Sequence, residues 1–378
     1  MKILHIINTL AIGGAQSVLL QLIENWGESR DPQMVISLRK REQLSAWIEA
    51  LGIPLAHIDL SPGKFDPVKF ANLVRIIKDY RPDVIQTWLY HADLLGSLAS
   101  RLANRTPVIW GIHHTMTDRH SVKFSTWFVV KVLSFFSKVL PAHIICCSHS
   151  AFQTHVDFGY DVTKMSTVVN GVNTDHFRLD PTARVSVKNE LELAQKTRLI
   201  GMFARFHPQK DHVTFIRAAE MLLLEKSDVC FVLAGEGVDT ANEYLRTEIN
   251  RRGMQDHFRL LGSRQDMPRL YSSMDIVTLS SAFGEALPMT LCEAMACGTP
   301  CVATNIGDTA SLIEQTGRVV APKNPGALAS AWKDVLDLSA MDYNQLCFQA
   351  KQKVFASYNL PDMLSSYKRI YRKFSSPQ

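Results

Sequence analysis

A chain of 378 residues exceeds one ordinary domain and suits two, each able to bury its own core. Hydrophobic residues at 46% and charged residues at 20% describe a soluble globular protein, and a net charge of +5 permits attraction to an anionic membrane surface while being too diffuse for a dedicated nucleic-acid binder. The seven cysteines form no C-x2-C pair, which excludes that kind of zinc site, and they are too sparse for a secreted disulfide scaffold; reduced, buried thiols and a cytoplasmic location are expected.

Residues 3–7 (I-L-H-I-I) predict a buried first strand, and Lys2 with a five-residue apolar run does not make a signal peptide. N-T-L-A-I-G-G-A-Q then leads into an amphipathic helix with Val18, Leu19, Leu22 and Ile23 at its apolar positions. Strand, glycine loop and helix make the opening unit of a doubly wound sheet. Gly13 and Gly14 let the backbone come close to a ligand, or simply turn the chain. The loop lacks G-x-G-x-x-G, which disfavours a nicotinamide oxidoreductase. Strands at 34–38, 54–58, 84–88 and 108–112 alternate with helices at 42–51, 67–80 and 92–103, the pattern of a parallel sheet whose ligands gather at the carboxyl ends of its strands. His113 and His114 follow the 108–112 strand directly.

The stretch 123–140 places Lys123, Lys131 and Lys138 within one quarter of a helical wheel, opposite a broad face of Phe128, Val132, Phe135, Phe136 and Val139. It is too short and too charged to cross a bilayer, which needs ~20 apolar residues. Two readings stay open: a helix lying on the membrane surface, and a helix packed into the core of its domain. Strands at 143–147 and 166–169 follow, and the second runs into N-G-V-N-T-D-H-F at 170–177. The polar stretch 179–195, with Pro181, predicts an irregular hinge. The first domain is accordingly expected over 1–180 and the second over 181–359.

In the second domain a strand at 199–204 ends at Arg205, and Lys210 opens a helix, so two cations and a helix N-terminus can converge on one anion. G-E-G at 235–237 and L-G-S-R at 261–264 follow strands at 229–234 and 258–261 and line the same strand ends. The domain is organised around 280–303, S-S-A-F-G-E-A-L-P-M-T-L-C-E-A-M-A-C-G-T-P-C-V-A. A strand at 275–279 runs into it, Pro288 suits a first helical turn, and Gly298 ends the helix. Glu285 lies in the loop ahead of that helix and Glu293 lies inside it, ~7–8 Å along the axis at ~1.5 Å per residue. Free N–H groups and the positive end of the dipole at the helix start suit a phosphate. The inner carboxylate could then bind the hydroxyls of a ribose and the outer one could face a sugar, a layout that suits a nucleotide diphosphate sugar.

E-x7-E on a strand, loop and helix, followed by A-M-A-C-G-T-P-C-V-A, resembles the retaining glycosyltransferases of family 4. The family has an α/β architecture, the GT-B fold: two facing Rossmann-like domains of parallel sheet with a cleft between them. N-G-V-N-T-D-H-F is similar to the family's N-G-V-D-x-x-x-F, with Asn173 in place of the aspartate. The resemblance implies two catalytic side chains, His113 reaching the donor sugar near the reacting centre and Glu285 holding sugar hydroxyls. It implies donor contacts from Gly13 and Gly14, from Arg205 and Lys210 on the diphosphate, and from the helix start at Leu287 and Pro288. Glu293 would bind the ribose, and the backbone near Arg264 the base. The departing phosphate would help take the acceptor's proton in a front-face attack. No cofactor or metal is implied, and D-x-D, the metal-carrying motif of the other large glycosyltransferase fold, does not occur in the chain.

The implied partners are a nucleotide sugar, with uridine favoured over guanosine, and a glycan or lipid-linked acceptor in cell-surface polysaccharide or lipopolysaccharide assembly. Nucleic acid is not among them. The last segment, 360–378, is expected to pack back on the first domain, and the protein to lie in the cytoplasm or on the inner face of its membrane. One departure is E-A-L-P where the family has E-G-F-P; alanine is strained there if the position needs positive φ. The alternatives are a nucleotide-sugar 2-epimerase of the same fold and a nucleotide-sugar-binding subunit without catalysis.

Overall fold

The computed structural model describes residues 1–27, 31–61, 65–115 and 124–375. The chain divides into two compact units, one of Met1–Gly171 with Leu360–Gln378 and one of Val172–Asn359. The first crossing thus falls inside the N-G-V-N motif and not after residue 180.

Unit 1 contains β1 (Ile3–Ile7), α1 (Gly14–Glu24), β2 (Gln33–Ser37), α2 (Ser45–Ala50) and β3 (Leu55–His57). It continues with α3 (Pro67–Tyr80), β4 (Val84–Trp88), α4 (Tyr90–Leu102), β5 (Val108–Ile112) and α5 (Phe124–Phe136). Then come β6 (His143–Cys146), α6 (His149–Asp157) and β7 (Met165–Thr167). The sheet order is β3-β2-β1-β4-β5-β6-β7, with every pairing parallel. Strands β1, β4 and β5 are buried along their whole length, as strands covered on both faces must be.

Unit 2 opens with α7 (Ala183–Glu190), β8 (Arg198–Phe203), α8 (His212–Leu223), β9 (Val229–Ala234) and α9 (Glu243–Asn250). It continues with β10 (Phe258–Leu260), α10 (Met267–Ser273), β11 (Ile276–Leu279), α11 (Met289–Ala296) and β12 (Cys301–Thr304). Helix α12 (Thr309–Ile313), β13 (Gly317–Val320), α13 (Pro325–Leu336) and α14 (Ala340–Ser357) complete it. Its parallel sheet runs β10-β9-β8-β11-β12-β13. The core is aromatic at its centre, where Phe215 lies 5.0 Å from Trp332, and the Trp332 indole donates to Thr278 Oγ1 at 2.8 Å. Asp275, fully buried at the start of β11, accepts from Arg184 at 2.5 Å, Arg198 at 2.7 Å and the Leu199 N–H at 2.8 Å. A buried carboxylate is tolerable only with such a set of donors.

The last helix, α15 (Leu360–Phe374), belongs to unit 1. Its Tyr367 and Tyr371 are fully buried and stack on Trp88 at 6.2 Å and on Trp26 at 5.6 Å. Six of the cysteines are buried free thiols, and Cys347 is partly buried.

Two expectations are corrected. The stretch 179–195 is not an irregular hinge, because α7 forms within it and buries Ala183 and Val187. Pro181 precedes the helix and so does not interrupt it. Of the two readings left open for 123–140, burial of the aromatic face in the core is the one the structure does not bear out: Phe128 and Phe135 of α5 and Val139 after it are exposed, while Val130 and Leu133 face inward; what is corrected is the placing of the lysines. Lys131 and Lys138 are exposed alongside that stripe, not opposite it, since at 100° per residue Lys131 lies only 40° from Phe135. Lys123 lies outside the described residues. Among the described residues no helix is long and apolar enough to cross a membrane.

Candidate active site

A doubly wound sheet leaves a crevice where neighbouring strands send their connections in opposite directions, and ligands collect there beyond the carboxyl ends of the strands. In unit 2 that point lies between β8 and β11. The two loops leaving it are 204–211 and 280–288. They are laced together: Ala282 N–H donates to the Gln209 carbonyl at 2.8 Å, Gln209 Nε2 to the Gly284 carbonyl at 2.9 Å, and Ser280 Oγ to the Lys210 carbonyl at 3.0 Å.

Across this seam Lys210 Nζ donates to Glu285 Oε1 at 2.5 Å, and Ser281 Oγ donates to the same oxygen at 2.6 Å. Glu285 is 7% exposed. Sequence reading gave these two residues separate tasks; the structure joins them in a nearly buried ion pair. Arg205 stands exposed at the start of the same loop, and its side chain makes no hydrogen bond or ion pair among the described residues.

The helix starts are not as the sequence suggested. Lys210 ends a single turn over Pro208–Lys210, and α8 begins two residues later with Asp211 as its cap. The Asp211 carboxylate accepts from Thr214 N–H at 3.1 Å and Thr214 Oγ1 at 2.6 Å, so this helix start already holds an acid. Helix α11 differs. Pro288 caps it without a side-chain acceptor, its first turn has no acid, and the Met289 and Thr290 N–H groups donate to nothing among the described residues. This is the helix start in the crevice that is open to an anion. Leu287, just ahead of it, is buried.

Ala286 does not occupy the positive-φ region, so the E-A-L-P variant carries no backbone strain there; Gly284 takes the left-handed turn at φ 73°. Sequence reading missed Gly307, in the loop after β12. It sits at φ +62°, and a Cβ there would lie 2.2 Å from the Glu285 carbonyl oxygen and 2.6 Å from that of Ala286. Asp308 N–H also donates to the Ala286 carbonyl at 2.8 Å. The N-I-G-D motif was visible in the chain, but its contact with the Glu285 loop needed the β11–β12 pairing to be known.

Glu293, one turn into α11, accepts from the buried Tyr271 hydroxyl of α10 at 2.7 Å. Desolvation pushes its pKa up to about 7, against the lowering effect of the Tyr271 hydrogen bond. Arg264 lies after the edge strand β10, and its guanidinium is bound to Asp266 and Glu190 at 2.8 and 2.7 Å. Only its backbone is left for recognition of a ligand.

In unit 1 the equivalent crevice lies between β1 and β4. Asn8 Oδ1, at the end of β1, accepts from the Ala92 N–H at the start of α4 at 2.7 Å. Gly13 and Gly14 follow in the same loop, and the fold does not require the second. Gly13 has extended backbone at φ −176°, but a Cβ on it would lie 2.6 Å from Oε1 of the buried Gln16, which would have to shift from its hydrogen bond to the Thr9 carbonyl; a Cβ on Gly14 would meet nothing within 4 Å. His113 follows β5 and stacks on Trp88 at 5.0 Å. Both of its ring nitrogens are buried without a partner among the described residues, and burial lowers its pKa to about 4. A neutral imidazole in that state offers a donor and an acceptor to a ligand.

The two units are Rossmann-like, each with polar groups gathered at a switch point, and unit 2 carries there an α11 start without a side-chain cap, in the same crevice as Arg205, Lys210 and Glu285. The sequence matches the profile of Glycosyltransferase Family 4 over residues 12–176 and that of the group 1 glycosyl transferases over residues 197–337, and the chain belongs to this family. It is 25% identical over 383 residues to the UDP-Gal:alpha-D-GlcNAc-diphosphoundecaprenol alpha-1,3-galactosyltransferase of Escherichia coli, covering 98% of this chain and 96% of that one. The putative glycosyltransferase EpsF of Bacillus subtilis is 24% identical over 80% of this chain and 79% of its own length. The structure of Anabaena HepE in complex with UDP superposes with a TM-score of 0.87 at 20% identity, covering 99% of this chain and all of that one. The fold is GT-B, and the protein is a glycosyltransferase.

Proposed function

We propose that this protein transfers a sugar, with retention of anomeric configuration and without a metal, from a UDP-sugar to a hydroxyl of a glycan or lipid-linked acceptor in cell-surface polysaccharide or lipopolysaccharide assembly. The observation that carries the proposal is the switch point of unit 2, where Lys210 and Glu285 meet beside Arg205 and the open start of α11. Loss of the diphosphate leaves negative charge on its outer phosphate. Arg205, Lys210 and the Met289 and Thr290 N–H groups stabilise that charge, which is the electrostatic work a metal does elsewhere. Glu285 holds sugar hydroxyls, Glu293 holds the ribose, and the Arg264 backbone meets the base. The neutral His113 bonds a sugar hydroxyl, with the glycine loop close to donor and acceptor. The uridine donor and the lipid-linked acceptor are supported by the name of the Escherichia coli relative, and the uridine also by the UDP bound to HepE.

The deciding experiment incubates the protein with a panel of nucleotide sugars, with and without a polyprenyl-diphosphate sugar, and follows nucleotide release and the anomeric coupling of the product by proton NMR. Acceptor-dependent release with retained configuration is the expected result. Release or conversion of the donor without acceptor would mean the epimerase, and binding without any turnover the inactive subunit. Chelation of divalent ions should leave the rate unchanged.

Two further outcomes belong to this reading. Glu293 binds the ribose best as a carboxylate, so affinity for a UDP-sugar should rise as pH rises through about 7, gaining roughly tenfold between about pH 6 and pH 8. Tyr271→Phe removes the hydrogen bond that lowers the Glu293 pKa and should move the midpoint upward. A flat calorimetric affinity over that range would separate Glu293 from the donor. Gly14→Ala should leave the thermal midpoint unchanged, since the fold has room for the methyl group, and should lower transfer; wild-type transfer would detach the loop from the reaction.

An acceptor held in a bilayer brings the protein to a lipid surface. We assign that contact to α5 and the turn after it, where Phe124, Phe128, Phe135 and Val139 are 63%, 57%, 76% and 59% exposed with Lys131 and Lys138 alongside. The location that follows is peripheral, on the cytoplasmic face of the membrane.

A further inference from the structure

The end of α4, the segment leading into β5 and the segment 139–142 between α5 and β6 line an open cavity of about 530 Å3 at the amino ends of β5 and β6. It lies at the opposite end of the unit 1 sheet from His113 and the glycine loop, so it is no part of the site described above. Arg101, Arg105, Ser97, Ser100, Val139 and Pro141 contribute to its walls, and no acidic residue does.

Its two cations, Arg101 and Arg105, differ. Arg101 donates to the Val139 carbonyl at 2.7 Å and so satisfies a carbonyl after the end of α5, as Lys164, which does not line the cavity, does for those of Lys138 and Pro141 at 2.7 and 2.9 Å. Arg105 has no such task. Its side chain makes no hydrogen bond or ion pair among the described residues. Its backbone sits at φ 55°, with its N–H on the Ser100 carbonyl at 2.8 Å, a helix-closing position that glycine adopts with less strain. Local backbone conformation therefore does not call for arginine here, and its exposed side chain lines the cavity. Exposed Val139 lines the cavity, exposed Leu102 follows Arg101 at the end of α4, and Phe135 is exposed near the end of α5.

We propose that this cavity seats the phosphate of an anionic phospholipid headgroup. The proposal rests on the reading of α5 as the membrane contact. Guanidinium groups match phosphate oxygens in a planar, two-pronged geometry, and a cavity of this volume has the size of a small-ligand site. A free phosphate shares that charge but gains nothing from the apolar border. A phospholipid uses both, with its phosphate among the arginines and its glycerol and upper acyl carbons against Leu102, Val139 and Phe135.

The test is co-sedimentation of the 378-residue chain with vesicles of phosphatidylcholine alone and of phosphatidylcholine mixed with phosphatidylglycerol. The wild type should prefer the mixed vesicles. Arg105→Gly should lose roughly five-fold in partitioning to them, the share expected of one cation at an anionic surface, and should keep wild-type partitioning to phosphatidylcholine. Its thermal midpoint should stay level or rise, because glycine relaxes the backbone, so misfolding cannot account for the loss. Wild-type partitioning by Arg105→Gly would overturn the site. So would a thermal shift with inorganic phosphate in the wild type and not in Arg105→Gly, unaccompanied by any vesicle preference, since the cavity would then serve a soluble phosphate. Phe128→Ser combined with Phe135→Ser should weaken binding to both kinds of vesicle. Undiminished binding by that variant would instead overturn the α5 contact, an outcome distinct from either failure of the headgroup site.

Discussion

Gly307→Ala is expected to lower the stability of unit 2 by about 2–4 kcal/mol and to cut transfer by roughly a hundredfold. Two costs add. A φ of +62° is open to glycine and costs alanine about 1 kcal/mol. The added Cβ then lies 2.2 Å from the Glu285 carbonyl oxygen, a contact that backbone must relieve by moving, because no flexible side-chain end is there to swing away. The part that moves is the Glu285 loop, tied at Ala286 to Asp308 and at Gly284 to Gln209. A shift of about 1 Å there misplaces the carboxylate against the sugar, and displacements of that size cost about two orders of magnitude in rate. Donor affinity should fall much less, since Arg205 and the α11 start are not in the clash. The measurement is a thermal melt with kcat and donor Kd on the same preparation. A variant that melts early but turns over at the wild-type rate would show that Gly307 supports the fold and not the position of Glu285.

Why that glycine escaped a reading of the sequence shows where such reading stops. The alternation of apolar runs and amphipathic helices announced both parallel sheets, because a strand covered on two faces is mostly apolar, as β5 is throughout and β1 is but for His5; β4 also carries the buried Gln86 and Thr87, which bond within the unit. The crevice in unit 2 was legible for the same reason: a strand-loop-helix with Glu285 ahead of the helix and Glu293 inside it is a local pattern. What depended on pairing between distant segments was not legible. Gly307 meets Glu285 only because β12 lies beside β11, and Lys210 meets Glu285 only because β8 lies on the other side of β11. Helix α7 was hidden by polarity. Its buried apolar residues, Ala183 and Val187, are too few to mark a stripe, its third buried residue is the charged Lys188, and much of its hold on the unit is electrostatic, through Arg184 to Asp275 and through Glu190 to Arg264 and Arg269. In α5 the hydrophobic pattern was plain, but periodicity cannot tell an apolar stripe facing a core from one facing outward.

The Lys210–Glu285 pair leads to the second large effect, best read from three variants together. Lys210→Ala should cost about 2–3 kcal/mol of stability, less than the full penalty of breaking a buried pair because the lysine side chain is 18% exposed. It should weaken donor binding by only ~1–2 kcal/mol, since a cation already engaged with a carboxylate has less attraction left to give a diphosphate. Glu285→Gln keeps the shape of the site and releases Lys210 from its carboxylate. UDP-sugar binding should then tighten by a few fold while kcat falls by roughly a hundredfold, because the group aimed at the sugar is the one altered. The double variant Lys210→Ala with Glu285→Gln should recover part of the stability lost in Lys210→Ala, with a coupling of about 1–3 kcal/mol, and recover none of the turnover. Strict additivity in the melts would mean that the ion pair contributes nothing in solution. Equal losses of affinity and turnover in Glu285→Gln would make Glu285 a plain binding residue, leaving the chemistry to Arg205 and the helix start.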